Sequence, residues 1–300
     1  MSASNLPEPR AFRTFRSQRL TLSYAEWGDP EAPLLFLVHG GRDQKRSWDW
    51  IAPRLAGRYR VIAHDLRGHG WSDRVSDGSY SVMDNVLDFA ALMDELNAEK
   101  PVIIGHSLGG NIAIRYCGLF PERVERLVAI EGLGRSPRQI AERETRPLEA
   151  RLQEWVGQRR RAASRPPRVM KDVDEAMARM REAHPQLSRE HLVHLTETGV
   201  RRNEDGTVSW LYDPAFVPMP PLDLADAEIH RLWNQITCPV WHVYGEKSWA
   251  TDPREDGRAA HFRNARVTMV ENAGHWLHHD RLDVFMDGLE NFLNTSLTAG

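Results

Sequence analysis

The sequence predicts an α/β fold: a mostly parallel sheet flanked by helices, with a helical cap inserted between two of its strands. Three observations carry this. Short apolar runs alternate with helical patterns up to residue 133 and again from residue 234, the order that lays strands in parallel with helices on both faces. Between them, over 134–233, strand-like runs are few and helical patterns follow one another. At the centre of the first stretch, Gly105-x-Ser107-x-Gly109 joins a β-branched run to a helical one.

In chain order, residues 12–16 and 20–27 read as a hairpin closed at Ser17-Gln18. The continuous apolar run 34–38 reads as a strand covered on both faces, ending in His39-Gly40-Gly41. A short helix is expected over 48–55 and a strand over 61–63, followed by a loop with Gly68 and Gly70. Ser81 caps a helix whose stripe Val82, Val86, Phe89, Met93 and Leu96 repeats at helical spacing. The strand 102–104, the helix around 111–116 and a strand over 124–130 come next. The cap carries helical patterns at 148–155, 174–181 and 189–196, broken by prolines at 166–167, 185 and 218–221. A strand at 240–244, a helix at 253–261, a strand at 267–270 and a closing helix over 277–293 complete the chain. The core is thus 1–133 with 234–300, and the cap 134–233, lying over the strand ends where open α/β sheets hold their sites.

Composition narrows the function. A formal net charge of −3 gives no electrostatic reason to bind nucleic acid or an anionic membrane. Cys117 and Cys238 lie far apart within apolar stretches and read as buried, reduced thiols. The polar first ten residues lack a signal-peptide core, and no apolar run is long enough to span a bilayer. A cytoplasmic protein with a small-molecule substrate, a monomer or homodimer, is expected. Histidines follow strands singly, as at His39 and His64, so no metal site is expected.

The chemistry centres on Ser107. A strand that turns at once into a helix forces a strained residue at the kink, tolerable only if its neighbours lack bulk. Gly105 and Gly109 meet that need, and the turn lifts the Ser107 hydroxyl above the sheet. A serine hydroxyl is a poor nucleophile until a base takes its proton.

Four motifs stand in register: His39-Gly40-Gly41, Asp65-x-Arg67-Gly68-x-Gly70-x-Ser72, Gly105-x-Ser107-x-Gly109-Gly110 and Ala273-Gly274-His275-Trp276. Together they resemble the α/β-hydrolase fold family, specifically its capped members, over nearly the whole chain. Trp210-Leu211-Tyr212-Asp213-Pro214 is similar to a sub-branch of serine-hydrolase-like proteins. The resemblance implies Ser107 as nucleophile, His275 as base, and the backbone N–H groups of Gly41 and Leu108 as the oxyanion hole. It implies no cofactor. It also implies hydrolysis of a small or medium carboxylic ester, with lactone, thioester or carbon–carbon substrates as alternatives. Serine at the elbow argues against the carboxylate-nucleophile dehalogenases and epoxide hydrolases that share the fold. His278, His279, Asp65 and Arg67 read as structural.

The chain departs from the family at the acid. Gly245-Glu246-Lys247-Ser248 puts Ser248 where many members carry aspartate, a feature that also suits a ligand sensor on a degenerate scaffold. Glu131 is the expected acid. It ends the strand before the cap, keeps the order nucleophile, acid, base, and is followed by Gly132 and Gly134, which let the chain turn away. Asp252 and Glu246 are the alternatives. In the cap, 135–171 holds eleven basic and four acidic side chains, either a rim for anionic substrates or solvated helix faces. Trp155, Trp210 and Trp233 either line an acyl pocket or pack cap on core.

Overall fold

A computed structural model describes residues 6–76, 78, 80–164, 166–216 and 223–295. The proline-rich run 218–221 lies outside them. Strands β1 (Ala11–Ser17) and β2 (Leu20–Trp27) form the hairpin, turning at Gln18. Then come β3 (Leu34–Val38), α1 (Ala52–Leu55), β4 (Arg60–His64), α2 (Val82–Glu95), β5 (Val102–His106), α3 (Leu108–Leu119) and β6 (Arg126–Ile130). The insertion holds α4 (Pro137–Glu144), α5 (Leu148–Ala163), β7 (Val169–Met170), α6 (Val173–Ala183), α7 (Arg189–Gly199), β8 (Val200–Arg202) and β9 (Val208–Trp210). The chain closes with α8 (Asp226–Gln235), β10 (Val240–Gly245), β11 (Ala265–Val270), α9 (Leu277–Asp280) and α10 (Leu282–Asn294).

The main sheet runs β1-β2-β4-β3-β5-β6-β10-β11. β2 is antiparallel to both neighbours, and the other pairings are parallel. Successive strand residues point to opposite faces, and β3 feeds two cores. Phe36 and Val38 pack with Val86, Phe89 and Met93 of α2 and Ile112 of α3. Leu35 and Leu37 pack with Leu55 of α1 and Phe285, Leu289 and Phe292 of α10. Each such side chain contributes about 1.5–3 kcal/mol by leaving water. The stripe predicted for α2 is its buried face, and Ser81 caps it: its hydroxyl accepts from the Asp84 N–H at 3.0 Å while Asp84 accepts from the Ser81 N–H at 3.3 Å.

Register aligns the ends that matter. Val38 lies beside Gly105, His106 beside Ile130, Ile130 beside Val243, and Gly245 beside Val270. The residues just past β3, β5, β6, β10 and β11 therefore emerge along one edge of the sheet.

Several elements differ from expectation. The helix expected over 48–55 is a 3₁₀ turn at Lys45–Trp48 followed by α1. The helix expected over 253–261 is only a 3₁₀ turn at Arg258–His261, because Gly257 is left-handed (φ 82°) and interrupts it. The closing helix breaks at Arg281, whose φ of −134° leaves the helical region. The insertion is not purely helical: β7, β9 and β8 form a small antiparallel sheet. α8, a helix not expected from the sequence and starting within the stretch assigned to the cap, packs on α3. Gly118 comes so close that a Cβ there would lie 2.6 Å from the Leu232 carbonyl, and Trp233 joins the α2–α3 core. The insertion is tied down by Gln44 Nε2 donating to Thr198 Oγ1 at 3.0 Å, by the Asp213 N–H donating to the Gly68 carbonyl at 2.7 Å, and by the Tyr80 hydroxyl donating to Asp213.

Candidate active site

Ser107 has φ 52° and ψ −114°, a conformation that side chains rarely adopt. Close packing enforces it. A Cβ on Gly105 would lie 2.5 Å from the Gly109 carbonyl oxygen, and one on Gly109 would lie 2.2 Å from that of Val38. The Ser107 N–H donates to the Ile130 carbonyl at 2.8 Å, locking the kink onto β6. Leu108 opens α3, so its N–H has no carbonyl one turn back to bond. Gly41, Ser107 and His275 all line one cavity of about 480 Å³.

Glu131 also has a left-handed backbone, φ 49°, and its side chain is fully buried. The bend just past β6 turns the carboxylate across β10. Oε1 accepts from the Gly245 N–H at 2.8 Å, and Oε2 accepts from the Ser248 hydroxyl at 2.6 Å and from His275 Nδ1 at 2.5 Å. With Nδ1–H donating to a carboxylate, the lone pair of His275 sits on Nε2. The loop backbone is held as well, because His106 Nε2–H donates to the His275 backbone carbonyl at 2.9 Å.

The other expected acids are engaged elsewhere. Asp252 accepts from the Arg254 N–H at 2.9 Å and pairs with its guanidinium at 2.5 Å. It closes a turn rather than capping a helix. Glu246 is exposed and accepts from the Asn272 N–H at 3.0 Å.

The flanking charges have structural partners. Asp65 and Arg67 face different partners. Buried Asp65 accepts from Lys45 Nζ at 2.5 Å and from the N–H groups of Lys45 and Trp71. Arg67 forks onto Asp88 at 2.7 and 2.8 Å. A Cβ on Gly70 would overlap the Asp65 carboxylate at 2.1 Å, which explains that glycine. His39 is buried, accepting at Nε2 from the Leu66 N–H (3.0 Å) and donating from Nδ1 to the Gly40 carbonyl (2.7 Å). Burial pushes its pKa well below the ordinary value. His278 and His279 are buried in α9, likewise depressed by burial.

The insertion forms the cavity's other wall. Met180, His184, Trp210 and Phe216 face Trp276 and the catalytic candidates there, and Arg42, Arg168 and Arg179 lie among them. His184 stacks on Trp276 at 3.8 Å, and burial lowers its pKa to about 4. Of the three tryptophans read as pocket lining or cap-to-core packing, Trp210 lines the cavity, Trp233 packs in the core, and Trp155 is half-buried outside the lining. Cys117 and Cys238 are both buried and free. Among the described residues no group of three or more histidine, cysteine or carboxylate side chains is arranged to hold a metal. No helix among them is long and apolar enough to cross a membrane.

The mostly parallel sheet with its strand-to-helix elbow defines a fold class. The family model described as alpha/beta hydrolase fold matches residues 33–282, and the chain belongs to that family. An uncharacterized protein of Mycobacterium tuberculosis is 36% identical over 128 residues, 43% of this chain and 36% of that protein. A serine hydrolase-like protein of Danio rerio is 30% identical over 183 residues, 61% of this chain and 56% of its own length. The chain thus spans about a third to just over half the length of these relatives. Among solved structures, the thioesterase domain from the curacin biosynthetic pathway superposes with a TM-score of 0.81 at 24% identity, covering 94% of this chain and 99% of that one. At that identity the likeness concerns the fold.

Proposed function

We propose that the chain is a cofactor-free serine hydrolase acting on a small or medium carboxylic ester. One observation carries this reading above the others: the 2.5 Å hydrogen bond from His275 Nδ1 to buried Glu131, at the wall of the cavity that holds Ser107. His275 Nε2 takes the Ser107 proton as Oγ attacks the ester carbonyl. Glu131 fixes the tautomer and stabilises the imidazolium that forms. The N–H groups of Leu108 and Gly41 receive the oxyanion, helped by the positive end of α3. The tetrahedral intermediate collapses by breaking the bond to the alcohol oxygen, which His275 protonates. Water then attacks the acyl-enzyme, His275 takes its proton, and the acid leaves with Ser107 restored.

The feature that favours a binding-only scaffold, serine at 248, has another role in this reading. Ser248 orients the acid supplied by the neighbouring strand. The test is hydrolysis of short p-nitrophenyl esters by wild type and Ser107→Ala. The expected loss is about 10⁶-fold in kcat. Equal slow turnover by both across the panel would sink the esterase reading.

A further inference from the structure

Three arginines line the cavity, and no carboxylate does so among the described lining residues. They come from three separate places: Arg42 follows Gly41 in the loop after β3, Arg168 precedes β7, and Arg179 lies on α6. Arg42 is held in the left-handed region (φ 63°), its N–H donating to His69 Nε2 at 3.0 Å. Its guanidinium lies 5.9 Å from the ring centre of Tyr212, also a lining residue. Arg179 pairs with Glu175 one turn away at 2.9 Å. Both side chains are about 40% exposed, and such a pair is held only weakly. Glu175 itself is outside the lining. The wall between them carries Trp210, Phe216 and Trp276, while Arg42 and Arg168 are themselves exposed, so their pull on an anion is screened by salt.

A guanidinium is a planar fork of donors matched to carboxylate and phosphate oxygens. Three of them line the cavity that also holds Ser107, and Glu175, outside the lining, offsets the charge of Arg179 and Arg168 only in part. Resting on the serine-hydrolase reading above, we propose that the substrate is anionic: an ester or thioester whose acyl chain or leaving group carries a carboxylate or phosphate, gripped by Arg42, Arg168 and Arg179.

Two matched pairs of substrates test this on the purified protein. The p-nitrophenyl half-ester of adipic acid is compared with its neutral ω-amide, and an acyl-coenzyme A with the same acyl group on N-acetylcysteamine. The anionic member of at least one pair is expected to have about a tenfold or greater advantage in kcat/KM. Preference in the first pair assigns the anion to the acyl side, and preference in the second assigns it to the leaving group. The advantage should shrink as salt shortens the reach of exposed charges. It should fall toward parity in Arg168→Gln/Arg179→Gln, with folding checked by circular dichroism. Parity in both wild-type pairs, with turnover still dependent on Ser107, overturns the anion assignment and leaves the hydrolase reading standing. An advantage insensitive to both salt and the double substitution overturns it equally. Failure to turn over any of the four, together with no labelling by a fluorophosphonate, overturns both readings.

Discussion

Ser248 illustrates how one side chain redistributes a role. Its hydroxyl donates to the carboxylate oxygen of Glu131 that also receives His275 Nδ1–H, at 2.6 Å. A hydrogen bond to a charged group contributes about 1.5–3 kcal/mol, so Ser248→Ala should lower kcat about tenfold by loosening the acid. Glu131→Gln should cost about 10⁴ in turnover, as loss of the triad acid does elsewhere. Asp252→Asn should leave turnover near the wild-type value, since Asp252 is spent on Arg254. Steady-state kinetics on a short p-nitrophenyl ester checks all three. Near-normal turnover in Glu131→Gln with collapse in Asp252→Asn would move the acid to the loop after β10. At this scale the sequence was informative about residue types. Ser107, His275 and Glu131 stood out by motif and strand end. The supporting part of Ser248 did not, because a serine in place of an acid reads as a loss until the register of β6 against β10 brings the two residues together. The arginines of the cavity were only partly legible: the basic stretch 135–171 pointed to Arg168 as one of eleven basic residues and not to Arg42 or Arg179. Arg42, Arg168 and Arg179 are scattered in the chain, and only the fold of the insertion gathers them.

At the scale of elements, the elbow between β5 and α3 holds strain for the sake of exposure. Glycine adopts φ 52°, ψ −114° more readily than alanine does. Ser107→Gly should therefore be more stable than Ser107→Ala by about 1–3 kcal/mol, although neither keeps the hydroxyl that the proposed mechanism requires. Gly109→Ala sets a methyl against the Val38 carbonyl and should destabilise by about 1–3 kcal/mol. Urea unfolding midpoints read both effects, and equal stability of the two Ser107 variants would mean that the elbow is relaxed. Elements with long, regular patterns were legible. The continuous run of β3 and the stripe of α2 state their burial outright. β7, β8 and β9, two or three residues each, are too short to show alternation, and only Asp205-Gly206 at the β8–β9 turn hinted at a hairpin. The interruptions at Gly257 and Arg281 depend on local backbone angles that apolar periodicity does not encode.

For the whole molecule, the buried histidines set a limit on acid stability. Burial pushes His64 and His242 down to about 3 and His69 and His191 to about 4, with His39, His106, His278 and His279 also well below the ordinary value. An unfolded histidine titrates near 6.5. Between that value and the depressed folded one, the unfolded chain binds more protons, so stability rises with pH. Stability should be complete above about pH 6.5 and fall as the pH drops from there toward 4. Each such histidine biases the folding equilibrium about tenfold per pH unit. Urea midpoints measured between about pH 7.5 and 5 should fall steeply, and a flat profile would contradict the buried neutral state. The main sheet sets Ser107, Glu131 and His275 just past the ends of β5, β6 and β11, and their convergence on one reaction is the central claim. It is tested most directly by reaction with a fluorophosphonate, followed by mass mapping of the modified peptide. The expected result is one adduct per chain, on Ser107, absent in His275→Ala and greatly slowed in Glu131→Gln. No adduct on Ser107, or labelling of His275→Ala at the wild-type rate, would contradict it.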